Sequence, residues 1–288
     1  MLKLDRTHLA RFQSLIALAV MLVGMSLLSD SFLTLENGLN IFRQISVNLC
    51  LSIGMTLIIL TAGIDLSVGA ILALSGAVAA GLLKNGIRLE LLGVELQFTV
   101  LGSIAAGLLV GAAAGFFNGV TITRFKLPPF VATLGMFSIA RGLTMLWTGG
   151  FPVTGLGPTF GAIGTGVFLG IPVPVWITAS LVGVFVLLTR RTRFGRHIYA
   201  VGGNERAALL TGLRVDRIKV AVYTLGGMLA GVAGLIVTAR LDSAQPNAGL
   251  GYELDSIAAV VIGGTSLSGG RGSVMGTVIG CLIIGVLN

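Results

Sequence analysis

Arg190-Arg-Thr-Arg-Phe-Gly-Arg-His-Ile-Tyr-Ala-Val-Gly-Gly-Asn-Glu-Arg-Ala-Ala-Leu-Leu-Thr-Gly-Leu-Arg-Val-Asp-Arg-Ile-Lys219 is a polar island in a chain that is otherwise apolar. It carries eight of the nineteen Lys and Arg residues, and long apolar segments flank it on both sides. Membrane-crossing chains keep Lys and Arg in their cytoplasmic loops, so this island faces the cytoplasm and orients every neighbouring segment. The island is also patterned. Gly203-Asn-Glu-Arg-Ala-Ala-Leu-Leu-Thr-Gly-Leu213 reads as a short helix between glycines, which makes it a docking surface rather than a mere connector.

Composition sets the class. Hydrophobic residues make up 55% and charged residues 10%, with a mean hydropathy of +0.98, well outside soluble-domain averages. The 43 glycines suit closely packed membrane helices. Nothing marks a soluble insertion, so residues 1–288 read as a single transmembrane domain in contact with lipid. The net charge of +8 sits in loops, where it orients the chain, and no nucleic-acid partner is implied. Cys50 and Cys281 lie far apart in apolar runs, and His8 and His197 are isolated, so neither a metal site nor a cofactor is expected. Lys3, Arg6 and Arg11 precede an apolar run, Leu15 to Leu28, that lacks a small-x-small cleavage site; it reads as a retained first span.

Apolar stretches at about 13–33, 45–62, 66–83, 98–117, 130–148, 174–189, 219–239, 254–268 and 273–288 predict an all-α polytopic bundle of about nine spans. With the N-terminus cytoplasmic, fourteen Lys and Arg fall inside. Only Arg43, Lys84, Arg88 and Arg240 fall outside, and Arg141 lies within a span. Asp30, Glu36, Glu90, Glu95, Asp242, Glu253 and Asp255 are all placed outside. An odd number of spans leaves Asn288 outside, directly after an apolar run, and predicts one further span beyond it.

Small residues recur every four positions at Gly107, Gly111, Gly115 and Gly119, at Gly69, Ala73, Ala77 and Gly81, and at Gly272, Gly276 and Gly280. Such faces let helix backbones approach closely, and internal packing is the expected role. There is also an internal echo. Gly63-Ile-Asp-Leu-Ser-Val-Gly69 and Gly264-Thr-Ser-Leu-Ser-Gly-Gly270 both read Gly-x-x-Leu-Ser-x-Gly at predicted helix breaks. Repeated halves with glycine-broken helices are a transporter habit.

No Gly-x-x-x-x-Gly-Lys-Ser/Thr phosphate loop occurs; the nearest stretch, Gly264 to Arg271, has Gly-Arg where Gly-Lys is required. Hydrolytic and metal-ligand motifs are missing as well, so the chain is not expected to be an enzyme. Ion-coupled carriers place several carboxylates or histidines inside spans, whereas here only Asp65 and Arg141 qualify. That balance favours a separate ATP-hydrolysing partner.

Ile53-Gly-Met-Thr-Leu-Ile-Ile-Leu-Thr-Ala-Gly-Ile-Asp-Leu-Ser-Val-Gly69 resembles the signature of ribose-type ABC permeases, the membrane subunits of bacterial carbohydrate importers. Lys126-Leu-Pro-Pro-Phe-Val-Ala-Thr-Leu-Gly135, Gly195-Arg-His-Ile-Tyr-Ala-Val-Gly-Gly-Asn204 and Ala258-Ala-Val-Val-Ile-Gly-Gly-Thr-Ser-Leu-Ser-Gly-Gly-Arg-Gly272 are similar to the same family, from about Phe32 onward. The resemblance implies ten spans in the complete fold and a location in the bacterial inner membrane. Implied partners are ATP-binding-cassette subunits, an extracytoplasmic sugar-binding protein and a second permease subunit. It further implies alternating access, with a cytoplasmic coupling helix that here involves Asn204, Glu205, Ala207, Ala208 and Gly212. The family's usual Gly-Gly-Ile-Asp is Ala62-Gly63-Ile64-Asp65 in this chain.

Candidates for the solute path are the polar residues within spans, because buried polar groups are costly unless paired or wet. They are Asn48, Asn118 and Arg141, with Gln245 at the outer mouth and Asp65 at a helix break. Structural readings stand beside this one. Asn118 can cap its helix, and Asn48 can bond a neighbouring backbone. Arg141 can snorkel to the edge that Trp147 marks, and Asp65 can cap a helix beginning at Leu66. A same-superfamily permease for branched-chain amino acids or nucleosides, or an ion-coupled carrier, are the alternative functions.

Overall fold

The structure, a computed structural model, describes residues 6–89 and 93–287. Lys3, Glu90 and Asn288, used above to orient the chain, lie outside the described residues. The chain is a helical bundle. Among the described residues, six helices are long and apolar enough to cross a membrane: α2 (Leu35–Leu60), α3 (Val68–Asn85), α4 (Val100–Arg124), α5 (Pro129–Thr148), α7 (Val173–Arg191) and α10 (Val215–Leu241). The remaining helices are α1 (Arg6–Leu28), α6 (Pro158–Thr165), α8 (Arg193–Gly203), α9 (Glu205–Leu210), α11 (Tyr252–Ile262) and α12 (Val274–Leu287).

The ends of these helices follow local chemistry. Thr34 Oγ1 accepts from the Asn37 amide and Thr99 Oγ1 from that of Gly102, capping α2 and α4. Pro129 and Pro158 open α5 and α6, where a missing N–H costs nothing. The cap at Thr34 starts α2 ten residues before the apolar run expected from 45, carrying Asn37, Asn40 and Arg43 inside the helix. The expected span 254–268 ends early instead. Gly264 takes φ +86°, a left-handed conformation that stops α11 at Ile262.

The core is built around α10. α4 packs antiparallel to it through the glycine face, with Gly111 against Gly227, Gly115 against Tyr223 and Gly119 against Val220. α2 crosses the other side, Gly54 lying on Gly226, and α3 runs parallel to α10, with Gly76 on Gly234. Gly276 and Gly280 bring α12 onto Gly263 and Ala259. The small-residue faces are therefore internal packing surfaces. α2 from Ile45 onward and α3 are almost wholly buried, while α4, α5 and α7 each expose a broad apolar side.

One end of the bundle carries α8 and α9. The opposite end carries α6 and three two-stranded antiparallel sheets: β1 (Ile87–Leu89) with β2 (Val94–Leu96), β3 (Val153–Thr154) with β6 (Ser243–Ala244), and β4 (Val167–Phe168) with β5 (Ile171–Pro172). After β6 the chain does not stay at that end. Gly249 packs on Gly69, in the first turn of α3, although β6 pairs with β3 beside the last turns of α3, where Lys84 Nζ bonds the Thr154 carbonyl. Residues 245–251 thus dip back into the bundle, and the eleven-residue α11 starts part-way through it.

Candidate functional site

At the α8–α9 end, Thr192 Oγ1 caps α8 by accepting from Gly195 N at 3.1 Å, and Asn204 Oδ1 caps α9 by accepting from Ala207 N at 3.0 Å. Gly212, at φ +82°, closes α9, and Leu213 N donates to the Ala208 carbonyl at 3.1 Å. Glu205 Oε1 accepts from Lys219 Nζ on α10 at 2.7 Å. Ala207 faces outward, but Ala208 is buried in the same apolar cluster as Val215 and Ile218. Of the two alanines named for the coupling helix, only Ala207 is therefore available at the surface of this chain. Ala208 seats α9 on its own chain, because the helix needs one apolar residue turned inward to hold it there. The outward apolar groups are Leu209 and Leu210, 52% and 89% exposed, which the alanine-centred reading passed over. A mostly apolar groove of about 460 Å³ lies at the same end, between α8 and the start of α10, lined by Phe194, His197, Gly212, Leu213, Arg214 and Ile218 among others.

This end is fastened to both echoed motifs. Gly270 N donates to the Leu60 carbonyl at 3.0 Å, and Gly202 of α8 lies against both groups with no room for a Cβ. Tyr199 of α8 donates its hydroxyl to the Gly272 carbonyl at 2.9 Å. The helix break after α2 and the break between α11 and α12 thus meet under α8.

The break after α2 also holds Asp65 and Asn118. Asp65 Oδ1 accepts from the Ser67 amide at 2.8 Å and from its hydroxyl, and Asn118 Nδ2 donates to Ser67 Oγ at 2.9 Å. Leu66 N donates to Thr133 Oγ1 at 3.2 Å. Asp65 lies between the α2 and α3 helices, where burial raises its carboxyl above the ordinary carboxylate value against the lowering effect of the Ser67 and Asn118 bonds. The helix begins at Val68 rather than Leu66, so Asp65 shapes the turn ahead of the Ser67 N-cap. Asn118 sits inside α4 and does not cap its end. These two path candidates form one buried polar knot tying α3 to α4.

Asn48 is elsewhere. It lines a small polar cavity with Gln44, Val47, Arg240, Tyr252 and Asp255, and its buried Oδ1 has no protein partner among the described residues. Arg141 and Gln245 belong to a third place, the dipping segment. Arg141 Nη1 donates to the carbonyls of Pro246 and Ala248 at 2.7 and 3.0 Å, and its guanidinium lies 5.7 Å from the Phe137 ring centre. Gln245 is exposed and donates to Ser243 Oγ at 3.1 Å. Trp147 does more than mark an edge, since its Nε1 donates to the Ala77 carbonyl at 3.0 Å. The five path candidates therefore fall into three separate groups. The grouping of Arg240, Tyr252 and Asp255 around Asn48 had no signal in linear sequence beyond two acidic residues, Glu253 and Asp255, at the start of a short apolar run.

Residues 37–288 match the family model described as branched-chain amino acid transport system, permease component. The chain is 50% identical over 280 residues to the ribose import permease protein RbsC of Escherichia coli K12, covering 96% of this chain and 84% of that protein. It is also 50% identical over 276 residues to RbsC of Bacillus subtilis 168, covering 95% and 82%. The D-allose transport system permease protein AlsC of Escherichia coli K12 is 42% identical over 274 residues, covering 95% and 81%. No solved structure matches. A helical bundle with six membrane-length apolar helices, matched over nearly its whole length to transport permeases, belongs to the transport-system permease family, as a multi-pass membrane protein.

Proposed function

We propose that this chain is the membrane-spanning subunit of an ATP-driven sugar importer, carrying a monosaccharide of the ribose, allose or xylose kind into the cytoplasm by alternating access. The similarity to ribose, allose and xylose permeases supports the solute class. The observation that carries the mechanism is the attachment of α8, which leads directly into α9, to both helix breaks. A movement imposed on α9 by a partner reaches α2, α3, α11 and α12 at once through Leu60, Gly202 and Gly270. The chain lacks a phosphate loop, so the movement comes from ATP-binding-cassette subunits docked on Leu209, Leu210 and the neighbouring groove.

In this reading the N-terminus and the basic α8–α9 end are cytoplasmic, in keeping with the distribution of Lys and Arg. α1 and α12 add two crossings to the six long helices, and the dipping segment with α11 completes a ninth. A second permease subunit encloses the path, because irregular backbone at membrane depth is tolerated only against protein or water. An extracytoplasmic binding protein delivers the sugar at the end carrying the three small sheets.

The chain purified alone into liposomes is expected neither to hydrolyse ATP nor to accumulate ribose, allose or xylose. Addition of the ATPase and the sugar-loaded binding protein is expected to start uptake. Accumulation by the lone chain, driven by a proton or sodium gradient, contradicts the reading.

A further inference from the structure

The far end of α11 carries something the coupling account does not use. Gln44, Asn48, Arg240, Tyr252 and Asp255 converge on a cavity of about 60 Å³ from three helices, α2, α10 and α11. Asn48 stands near the midpoint of α2, and Tyr252 and Asp255 lie in the first turn of α11, where the dipping segment ends. The set is chemically unusual for the middle of a bundle. A cation, an anion, two amides and a phenol share one space, yet no ion pair joins Arg240 to Asp255. The buried Asn48 Oδ1 has no protein donor among the described residues, and an unpaired buried acceptor is costly unless a guest supplies one.

We propose that this cavity is a hydroxyl-binding subsite for the sugar on its way through the membrane. Asp255 and Asn48 Oδ1 accept from sugar hydroxyls, Arg240 and the two amides donate to sugar oxygens, and the Tyr252 ring offers an apolar face to the C–H side of the ring. The volume accommodates about two hydroxyl-sized groups, at roughly 30 Å³ each, so one edge of a sugar is held while the rest stays in the path. Placement agrees with general transporter physics: solute sites form near mid-membrane where a discontinuous helix begins. α11 joins this subsite to the break at Gly264–Gly270 that rests on α8, so one element links the held hydroxyls to the coupling end.

The inference rests on the permease reading, and its test separates the two. In the complete transporter in proteoliposomes, with saturating sugar-loaded binding protein, uptake is compared for whichever of ribose, allose and xylose the wild type imports and for its monodeoxy analogues. Asn48→Leu is expected to lower uptake of the parent sugar at least tenfold and to bring the parent-to-deoxy ratio, for one hydroxyl position, close to one. Uptake within twofold of wild type, or a fall with every ratio unchanged, overturns the subsite and leaves ATP-driven import standing. Asn48→Cys, placed in a background with Cys50 and Cys281 changed to Ser, guards against misfolding. Its reaction with a membrane-impermeant thiol reagent is expected to slow severalfold when the transporter is supplied with sugar. A rate indifferent to sugar means that the cavity holds only water, and overturns the proposal.

Discussion

Ala62, which stands in the Ala62-Gly63-Ile64-Asp65 stretch, carries a backbone cost. Its φ is +59°, in the left-handed region where a Cβ meets the following carbonyl, and the penalty is about 1–2 kcal/mol. Replacing Ala62 by Gly removes the clash while giving back some chain entropy, so Ala62→Gly is expected to stabilise the purified protein by about 1 kcal/mol. Thermal unfolding in detergent, read as a rise in Tm, is the check; an unchanged or lower Tm contradicts the strain. At this scale the sequence identified the costly residues but not their partners. Asp65 and Asn118 stood out as polar groups in apolar surroundings, yet Ser67 joins them across 51 positions of chain. Arg141 was readable as an ion in a span, but the Pro246 and Ala248 carbonyls that hold it lie more than a hundred residues away. Hydropathy reports that a group needs company and says nothing about which group supplies it.

Among the elements, the four-residue glycine period was the most informative pattern. Gly111 lies where a Cβ would come within 2.5 Å of the Gly227 carbonyl on α10, with the Gly231 Cα of the same helix and the Ser75 hydroxyl of α3 close behind. Gly111→Leu is expected to destabilise the fold by about 3 kcal/mol, lowering folded yield in size-exclusion chromatography rather than sugar affinity. Wild-type yield with normal uptake rules out the α4–α10 contact as drawn. Periodicity was sufficient here because a helix repeats its faces regularly. It failed for α11. The apolar run continues through Gly263 and Gly264, so a hydropathy window cannot see a left-handed glycine end the helix, nor a preceding segment that dips inward. α9 was legible as a short helix from the glycines that bound it, Gly203 and Gly212, but its Asn204 cap and its inward side were not. Six residues span less than two turns, and only tertiary packing decides that Ala208 turns inward and Leu210 outward.

Taken whole, the molecule works as a lever system closed at one end on the function proposed above. α8 rests on two helix breaks, the breaks lead into α2, α3, α11 and α12, and α11 ends at a polar cavity near mid-bundle. The central claim is that force enters through the outward face of α9. Leu210 is 89% exposed, so Leu210→Glu is expected to leave the fold intact while placing a charge on the apolar surface proposed to meet the partner. Ala208→Glu is a poorer probe, because a buried charge there unseats α9 itself. The decisive measurement is ATPase copurification together with ATP-driven sugar uptake by the Leu210→Glu permease at wild-type membrane yield. Loss of copurification, and at least a tenfold loss of uptake, is the expected result; wild-type levels of both contradict the assignment of α9 as the coupling element.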